Sequence, residues 1–560
     1  MKSSKAQQAA AKSEQRTRMI LAIGGTAAAA FLAAFLVYGP ALRGGFLLDD
    51  RYLPIFDPNI TADFSRWVGL IRPMLGVSYW LDYLVHGSDP YGFHITNVVL
   101  HVLVSALAGL IAAKLLEWSG VKGRARNVLA MFAGALFLLH PLQTESVSYL
   151  ASRSETLSVL FYYAAFAVFL CRSGETMSLP RSIAVMTLFA LALATKEHTL
   201  TLAILIVFAD FYWNRGGFRA HKILYSLLAV AGLAGAAFIY RIVSTTNTAG
   251  LSMQDLTPRM YFFTQCRVVW TYIRMFFVPA GQNLDPDIPV SSGFDTAAIA
   301  GLAAFVGLAA AAWIYRKRFP LASFGLFTFL LLIAPTSSII PIRDVMAERR
   351  MYLPMIGLIL VALEFLRRMK TTQVVWAGAA ALAVCAFATY QRNLLWGTPL
   401  DLWRDAAAKS PNKYRPRFQV AYALYEAGSC KEAAESYEKA SKLGPIDARL
   451  LVDWALALDC AGKWREAIDQ LQRSLAFENS AHIHTQIAMV YAKNGGAPEA
   501  MEELEIAERL NPSYEMIYVY RGNIYEVQNN RDLARREYTH ALQINPQNQA
   551  ARDALARVGR

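Results

Sequence analysis

An acidic doublet, Asp49-Asp50, follows the first hydrophobic run of this chain and is the earliest place where side chains could do chemistry. Two adjacent carboxylates cannot share one face of a strand or helix, so one is free to act as a base while its neighbour orients or binds. Arg51 beside them favours the ionised form that a base requires. By itself such a pair also describes a solvated turn or a loose cation site. Further polar residues stand against the ends of apolar runs, where they are expensive to place. They are Arg72, His94, His140, Glu145, Arg153, the turn Lys196-Glu197-His198 and the run Glu348-Arg349-Arg350. A lipid-linked phosphate would account for Arg349 and Arg350, because guanidinium forks match phosphate oxygens. Ion pairs with Glu348 or Asp344 would account for them equally well.

The elements that must position these residues are mostly hydrophobic. Of 560 residues 55% are apolar and 17% charged, against about 25% charged in soluble domains, and the apolar residues crowd into 19–390. This is the composition of a membrane protein. Candidate spans fall at 19–38, 95–116, 128–142, 155–171, 182–195, 199–213, 223–241, 295–315, 321–341, 351–366 and 373–390, about eleven in all. Basic clusters at Lys122-Arg124-Arg126, Arg172 and Arg181, Arg215-Arg219-Lys222, Arg316-Lys317-Arg318 and Arg367-Arg368-Lys370 then share one side with the basic N-terminus 1–18. The positive-inside rule makes that side cytoplasmic. Segment 255–290 carries Arg259, Arg267 and Arg274 as a charged stripe and reads as interfacial or re-entrant. The first external loop, 39–94, and all the polar residues named above then lie on the non-cytoplasmic side.

The net charge of +13 resides in these short clusters, a distribution that argues against nucleic-acid binding. The N-terminal run has no small-residue cleavage pattern after it and reads as an anchor. Five cysteines show no CxxC spacing. Cys430 and Cys460, in adjacent repeats, would bridge only in an oxidising compartment and with suitable geometry.

After a linker at 391–410, the segment 411–560 repeats with a period near 34 residues. Ala433, Ala467, Ala500 and Ala534 recur in phase, with Gly428, Gly462, Gly495 and Asn529 at the inter-helix turns and Pro445, Pro512 and Pro546 closing three of the four units. This is the pattern of tetratricopeptide repeats, an α-solenoid whose concave groove usually holds a peptide or partner protein, the alternative being repeats that only brace the membrane domain or mediate self-association. The fold class expected is therefore all-α, a polytopic membrane domain followed by a solenoid.

The order of Phe46-Leu47-Leu48-Asp49-Asp50-Arg51, Arg72-Pro73, Phe93-His94-Ile95-Thr96-Asn97 to His101, His140-Pro141-Leu142-Gln143-Thr144-Glu145-Ser146-Val147, Lys196-Glu197 and Ala347-Glu348-Arg349-Arg350-Met351-Tyr352-Leu353-Pro354, followed by repeats, resembles the transmembrane and tetratricopeptide repeat-containing proteins. These are GT-C glycosyltransferases related to protein O-mannosyltransferases. The resemblance implies transfer of a sugar from a polyprenyl-phosphate donor to a protein Ser or Thr hydroxyl on the non-cytoplasmic face, by direct displacement that inverts the anomeric centre. It implies that Asp49 and Asp50 are catalytic, the first as base. Arg349, Arg350, Lys196 and Arg153 are the candidates for the donor phosphate, with Glu145, His140, Glu197, Glu348, Arg72 and His94 as supporting polar groups. A divalent cation among Asp49, Asp50 and Glu145 is left open, because carboxylate sites for hard cations have no unique spacing. The implied partners are the lipid-linked sugar, an acceptor protein on the repeats and membrane lipids. The compact loops and a single Asn59-Ile60-Thr61 acceptor point to a bacterial inner membrane with the site and repeats in the periplasm, or to the endoplasmic reticulum for a eukaryotic chain.

Three alternatives stand beside this reading. An oligosaccharyltransferase or glycan polymerase would use the same face with a pyrophosphate-linked donor. A non-enzymatic scaffold would recruit partners through the repeats. A transporter would need ionisable residues deep within spans, and Lys114, Asp210 and Arg241 lie near span ends.

Overall fold

The computed structural model describes residue 21 and residues 24–559, except 62, 173–175, 215–216, 246–249, 251–252 and 254. The expected basic N-terminus, 1–18, lies outside the described residues, as do most of positions 19–23 and Arg215. The same holds for the side chains of Asn59 and Arg219. The chain divides into two compact units, residues 1–402 and 403–560, and among the described residues both are helical without a strand.

In the first unit each predicted span is a helix: Gly24–Arg43, Pro90–Trp118, Gly123–Leu139, Arg153–Leu170, Leu179–Leu193, Thr201–Trp213, Gly217–Thr245, Thr296–Ile314, Pro320–Ile333, Met355–Leu366 and Thr371–Leu395. Among the described residues, four are long and apolar enough to cross a membrane alone: Gly24–Arg43, Pro90–Trp118, Thr296–Ile314 and Thr371–Leu395. The bent pair Gly123–Leu139 and Pro141–Ser148 makes a fifth. The structure thus bears out the helices and a membrane protein, and four or five of the eleven expected crossings meet the combined requirement of length and apolar composition among the described residues. Several of the others are only 12–15 residues long, short of the roughly 20 that a hydrocarbon core demands. The central Pro90–Trp118 helix packs against Gly123–Leu139 and Arg153–Leu170. Pro320–Ile333 lies so close to Met355–Leu366 that a Cβ on Gly325 or Gly357 would come within 2.5 Å of the other's carbonyl oxygen, a contact only glycine permits. Segment 255–290 contributes the helix Pro258–Phe277, which is not among those able to cross. Arg267 and Arg274 donate to the carbonyls of Pro289 and Ala280 in the segment that follows it.

At one end of the bundle the basic clusters meet. Arg368 donates to the Arg318 carbonyl, Arg367 donates to the Ser119 carbonyl, and buried Glu364 pairs with both arginines.

The second unit stacks antiparallel pairs, Tyr414–Glu426 with Cys430–Ser441, Ala448–Cys460 with Trp464–Ser474, Ala481–Lys493 with Ala497–Leu510, and Met516–Val527 with Arg531–Ile544. The four phased alanines are fully buried where paired helices touch. Gly428, Gly462, Gly495 and Asn529 all take positive φ at the turns, the conformation that glycine and asparagine tolerate best. A final helix, Gln549–Val558, buries Ala554 and Val558 against Ala534 and Tyr538. Cys430 and Cys460 are joined as a disulfide, with Cα atoms 5.6 Å apart.

Candidate functional site

The loop carrying the acidic doublet is fixed at its root. Gly44 lies where a Cβ would meet the Trp396 carbonyl at 2.7 Å, and His94 donates from Nε2 to the Gly44 carbonyl at 3.1 Å. Leu48 then adopts φ 47°, and this left-handed residue turns the two carboxylates to different surroundings. Asp50 is 1% exposed and accepts the amides of Leu47 (2.9 Å) and Ala151 (2.6 Å). Burial pushes its carboxyl up to about 7 in spite of those bonds. Asp49 is exposed, its amide donates to the Tyr149 hydroxyl at 3.0 Å, and its carboxylate makes no hydrogen bond or ion pair among the described residues. The doublet therefore divides: one carboxyl anchors the loop to the 140–153 segment, and the other is open to solvent.

Tyr149 links this loop to the late arginines. Burial, then the charges of Asp50 and Asp49, pushes its hydroxyl above the ordinary range, while Arg349 pulls the other way, so all four groups share one electrostatic neighbourhood. Glu145, buried, accepts both the Arg349 amide (3.0 Å) and its guanidinium, and Asp344 lies 3.7 Å from the same guanidinium. Burial opposes the charge on Arg349, and Glu145 and Asp344 outweigh it and hold the group protonated. The side chain is still about a quarter exposed.

The turn at 196–198 completes the cluster. Lys196 donates to Glu155 at 2.5 Å and to the Ser154 hydroxyl at 3.3 Å, and His198 lies 3.6 Å from the other Glu155 oxygen. Burial lowers the Lys196 ammonium and the His198 imidazole, the latter to about 4, against the attraction of Glu155. Arg72 grips Glu197 with two bonds of 2.9 Å. Burial works to raise Glu197, but the Arg72 charge outweighs it and holds the carboxylate low. Arg72 and Arg349 both act on Lys196, which places three cations, each with its own carboxylate, in one region.

The remaining predicted residues stand in the frame around this cluster. Arg350, buried, donates to the Tyr261 hydroxyl (3.1 Å) and to the carbonyls of Val345 and Asp344. Arg153 is wholly buried, pairs with Asp82 at 2.6 Å and donates to Asn97 and the carbonyls of Ser78 and Phe93. His140 donates from Nε2 to the Phe276 carbonyl and accepts the Leu142 amide on Nδ1. Glu348 accepts from Gln282 and the Asn283 amide, and burial lifts its carboxyl to about 7 against the Arg392 charge. No group of three or more His, Cys, Asp or Glu able to hold a metal gathers among the described residues. Asp50 and Glu145 already accept N–H donors on both oxygens, so they do not fit a cation site with Asp49. Tyr149 and Glu155 were not among the expected site residues. The first carries no charge and no motif, and the second shows its role only through its pairing with Lys196.

No protein-family model matches the chain. Among curated proteins it is similar to Protein O-mannosyl-transferase Tmtc3 of Drosophila melanogaster, 23% identical over 545 residues that cover 81% of this chain and 58% of that protein. It is likewise similar to TMTC3 of Mus musculus, 23% identical with 85% and 57% covered, and to Protein O-mannosyl-transferase F38B6.6 of Caenorhabditis elegans, 22% identical with 74% and 62% covered. The chain thus spans less than two thirds of the length of these relatives. Similar solved structures include YrrB, described as a TPR protein with an unusual peptide-binding site (TM-score 0.24, 20% identity, 32% of this chain and 88% of that one). Another is MamA from Desulfovibrio magneticus RS-1 (TM-score 0.25, 19% identity, 28% and 92%). With the motifs in order along the membrane unit and the repeats behind them, the chain is similar over most of its length to proteins named Protein O-mannosyl-transferase.

Proposed function

We propose that this chain is a membrane glycosyltransferase that moves a sugar from a polyprenyl-phosphate donor to a Ser or Thr hydroxyl of a protein, inverting the anomeric centre. The names of its relatives support the reaction class. The observation that carries the reading is that an exposed Asp49, its carboxylate without a partner among the described residues, is tethered through Tyr149 to the segment whose Glu145 holds Arg349. Asp49 takes the acceptor proton as the oxygen attacks the anomeric carbon, and the phosphate leaves from the opposite face toward cations. That role falls to Arg349, Lys196 and Arg72. Their carboxylate partners hold each cation in one orientation before the donor arrives, so charge growing on the phosphate meets dipoles already in place. Arg350 and Arg153 serve as framework.

The repeats hold the acceptor chain. The site faces the non-cytoplasmic side, a reading supported by the collection of basic clusters at one end of the bundle, and the Cys430–Cys460 disulfide supports an oxidising compartment for the repeats. The test is Asp49→Asn in reconstituted protein, with transfer of labelled sugar from a polyprenyl-phosphate hexose to protein as readout. The expected loss is about 10²- to 10⁴-fold with insertion and thermal stability unchanged. Transfer at the wild-type rate removes Asp49 from the reaction.

A further inference from the structure

The helix Thr201–Trp213 begins beside the Lys196 turn and ends, about 20 Å away by helical rise, at a second site with no part in the reaction above. There a cavity of about 400 Å³ is lined by Phe211, Tyr212, Trp213, Trp313, Arg316, Lys317 and Pro320. Arg316 lies over the Trp313 ring at 4.3 Å and donates one N–H to the Trp313 carbonyl at 2.8 Å, which fixes the guanidinium at the mouth. Neither Arg316 nor Lys317 has a carboxylate partner among the described residues. The acidic groups on the neighbouring elements are already engaged: Glu364 with Arg367, Arg368 and the Leu321 amide, and Asp210 with Arg172, Tyr225 and His221. Beside the two cations, Phe211 and Trp313 are 70% and 42% exposed. The helix Thr296–Ile314 that leads into them is long and apolar enough to cross a membrane and has only 6% of its apolar window buried, the pattern of a lipid-facing span whose end comes to headgroup depth.

We infer that this cavity seats the headgroup of an anionic phospholipid, with the phosphate on Arg316 and Lys317 and the acyl chains along Phe211 and Trp313. Basic pockets between helices at a membrane surface bind anionic headgroups in this way, and aromatic side chains favour the same depth. The inference is independent of the transferase reading, since it uses none of the residues placed in the reaction.

The experiment uses the full chain in phosphatidylcholine nanodiscs titrated with phosphatidylglycerol, reading the midpoint of thermal unfolding and, by native mass spectrometry, the lipid retained. The expected result is a rise in midpoint and selective retention of phosphatidylglycerol. Arg316→Gln/Lys317→Gln should require roughly 30-fold more of that lipid, about fivefold for each cation removed. Arg124→Gln, in a different exposed basic cluster, should leave the response unchanged. An equal response to phosphatidylcholine alone or to inorganic phosphate in solution overturns the inference. So does an unchanged response in the double variant, or an equal loss with Arg124→Gln, which would mean that surface charge alone attracts the lipid.

Discussion

Tyr149→Phe deletes one oxygen from the site and leaves the ring stacked on Trp396, with centroids 6.2 Å apart. That oxygen accepts the Asp49 amide, and the preceding residue, Leu48, is held at φ 47°. A left-handed backbone costs an L-residue about 1–2 kcal/mol, whereas a hydrogen bond of this kind contributes about 0.5–1.5 kcal/mol net. Strain and tether are therefore comparable, and the two amides bound to Asp50 keep the loop attached when the tether is lost. Asp49 then leaves its reactive position for part of the time. With about 1.4 kcal/mol per factor of ten, kcat should fall about 3- to 10-fold. The donor KM should stay constant, because Arg349, Lys196 and Arg72 keep their carboxylate partners.

The assay is label transfer from a polyprenyl-phosphate sugar to protein in reconstituted membranes, run also in an Asp49→Glu background that retains a base. If Tyr149 acts through Asp49, the second substitution adds little there. An unaltered kcat in the single variant, or the same fold-loss in both backgrounds, would refute the positioning role.

Neighbouring arginines should differ. Arg349→Gln is expected to reduce kcat by about 10²-fold or more as a lost partner of developing charge. Arg350→Gln should instead lower the unfolding midpoint, since it removes bonds to Tyr261, Val345 and Asp344, and folded protein should keep most of its activity; equal kinetic losses would contradict the assignment. Stability should also depend on pH with a definite sign. The Asp50 and Glu348 carboxyls both lie near 7 when folded, above their unfolded values, so their contribution is complete below about pH 4 and is lost as pH rises through 7. For Asp50 this amounts to about 4 kcal/mol at 1.36 kcal/mol per pH unit. Unfolding midpoints between pH 4 and 8 should decline with pH, and Asp50→Asn should flatten the decline; an identical slope in that variant would rule out Asp50 as its source.

Much of the architecture is legible in the residues alone because it is written locally. The repeats announce themselves through small residues that must recur wherever two helices touch, and Ala433, Ala467, Ala500 and Ala534 are each fully buried as that periodicity demands. Each predicted hydrophobic run became a helix, since an apolar run in lipid has to satisfy its own backbone. Which of these helices are long and apolar enough to cross alone was less legible, because that depends on where each helix begins and ends in the fold.

The site followed the same division. Residue type alone singled out Asp49, Asp50 and the late arginines. The tertiary structure decided which of them stay open. Asp49 and Asp50 are adjacent in the chain, yet one is exposed and the other lies 1% exposed against two backbone amides. Arg349 and Arg350 diverge in the same way, because the tight turn Glu348–Met351 sends consecutive side chains about 120° apart. Tyr149 and Glu155 acquire meaning only from partners at least forty positions away, Asp49 and Lys196. Composition and periodicity report what a segment does with its own backbone, whereas the charge state and reach of a side chain are set by residues that only folding brings beside it.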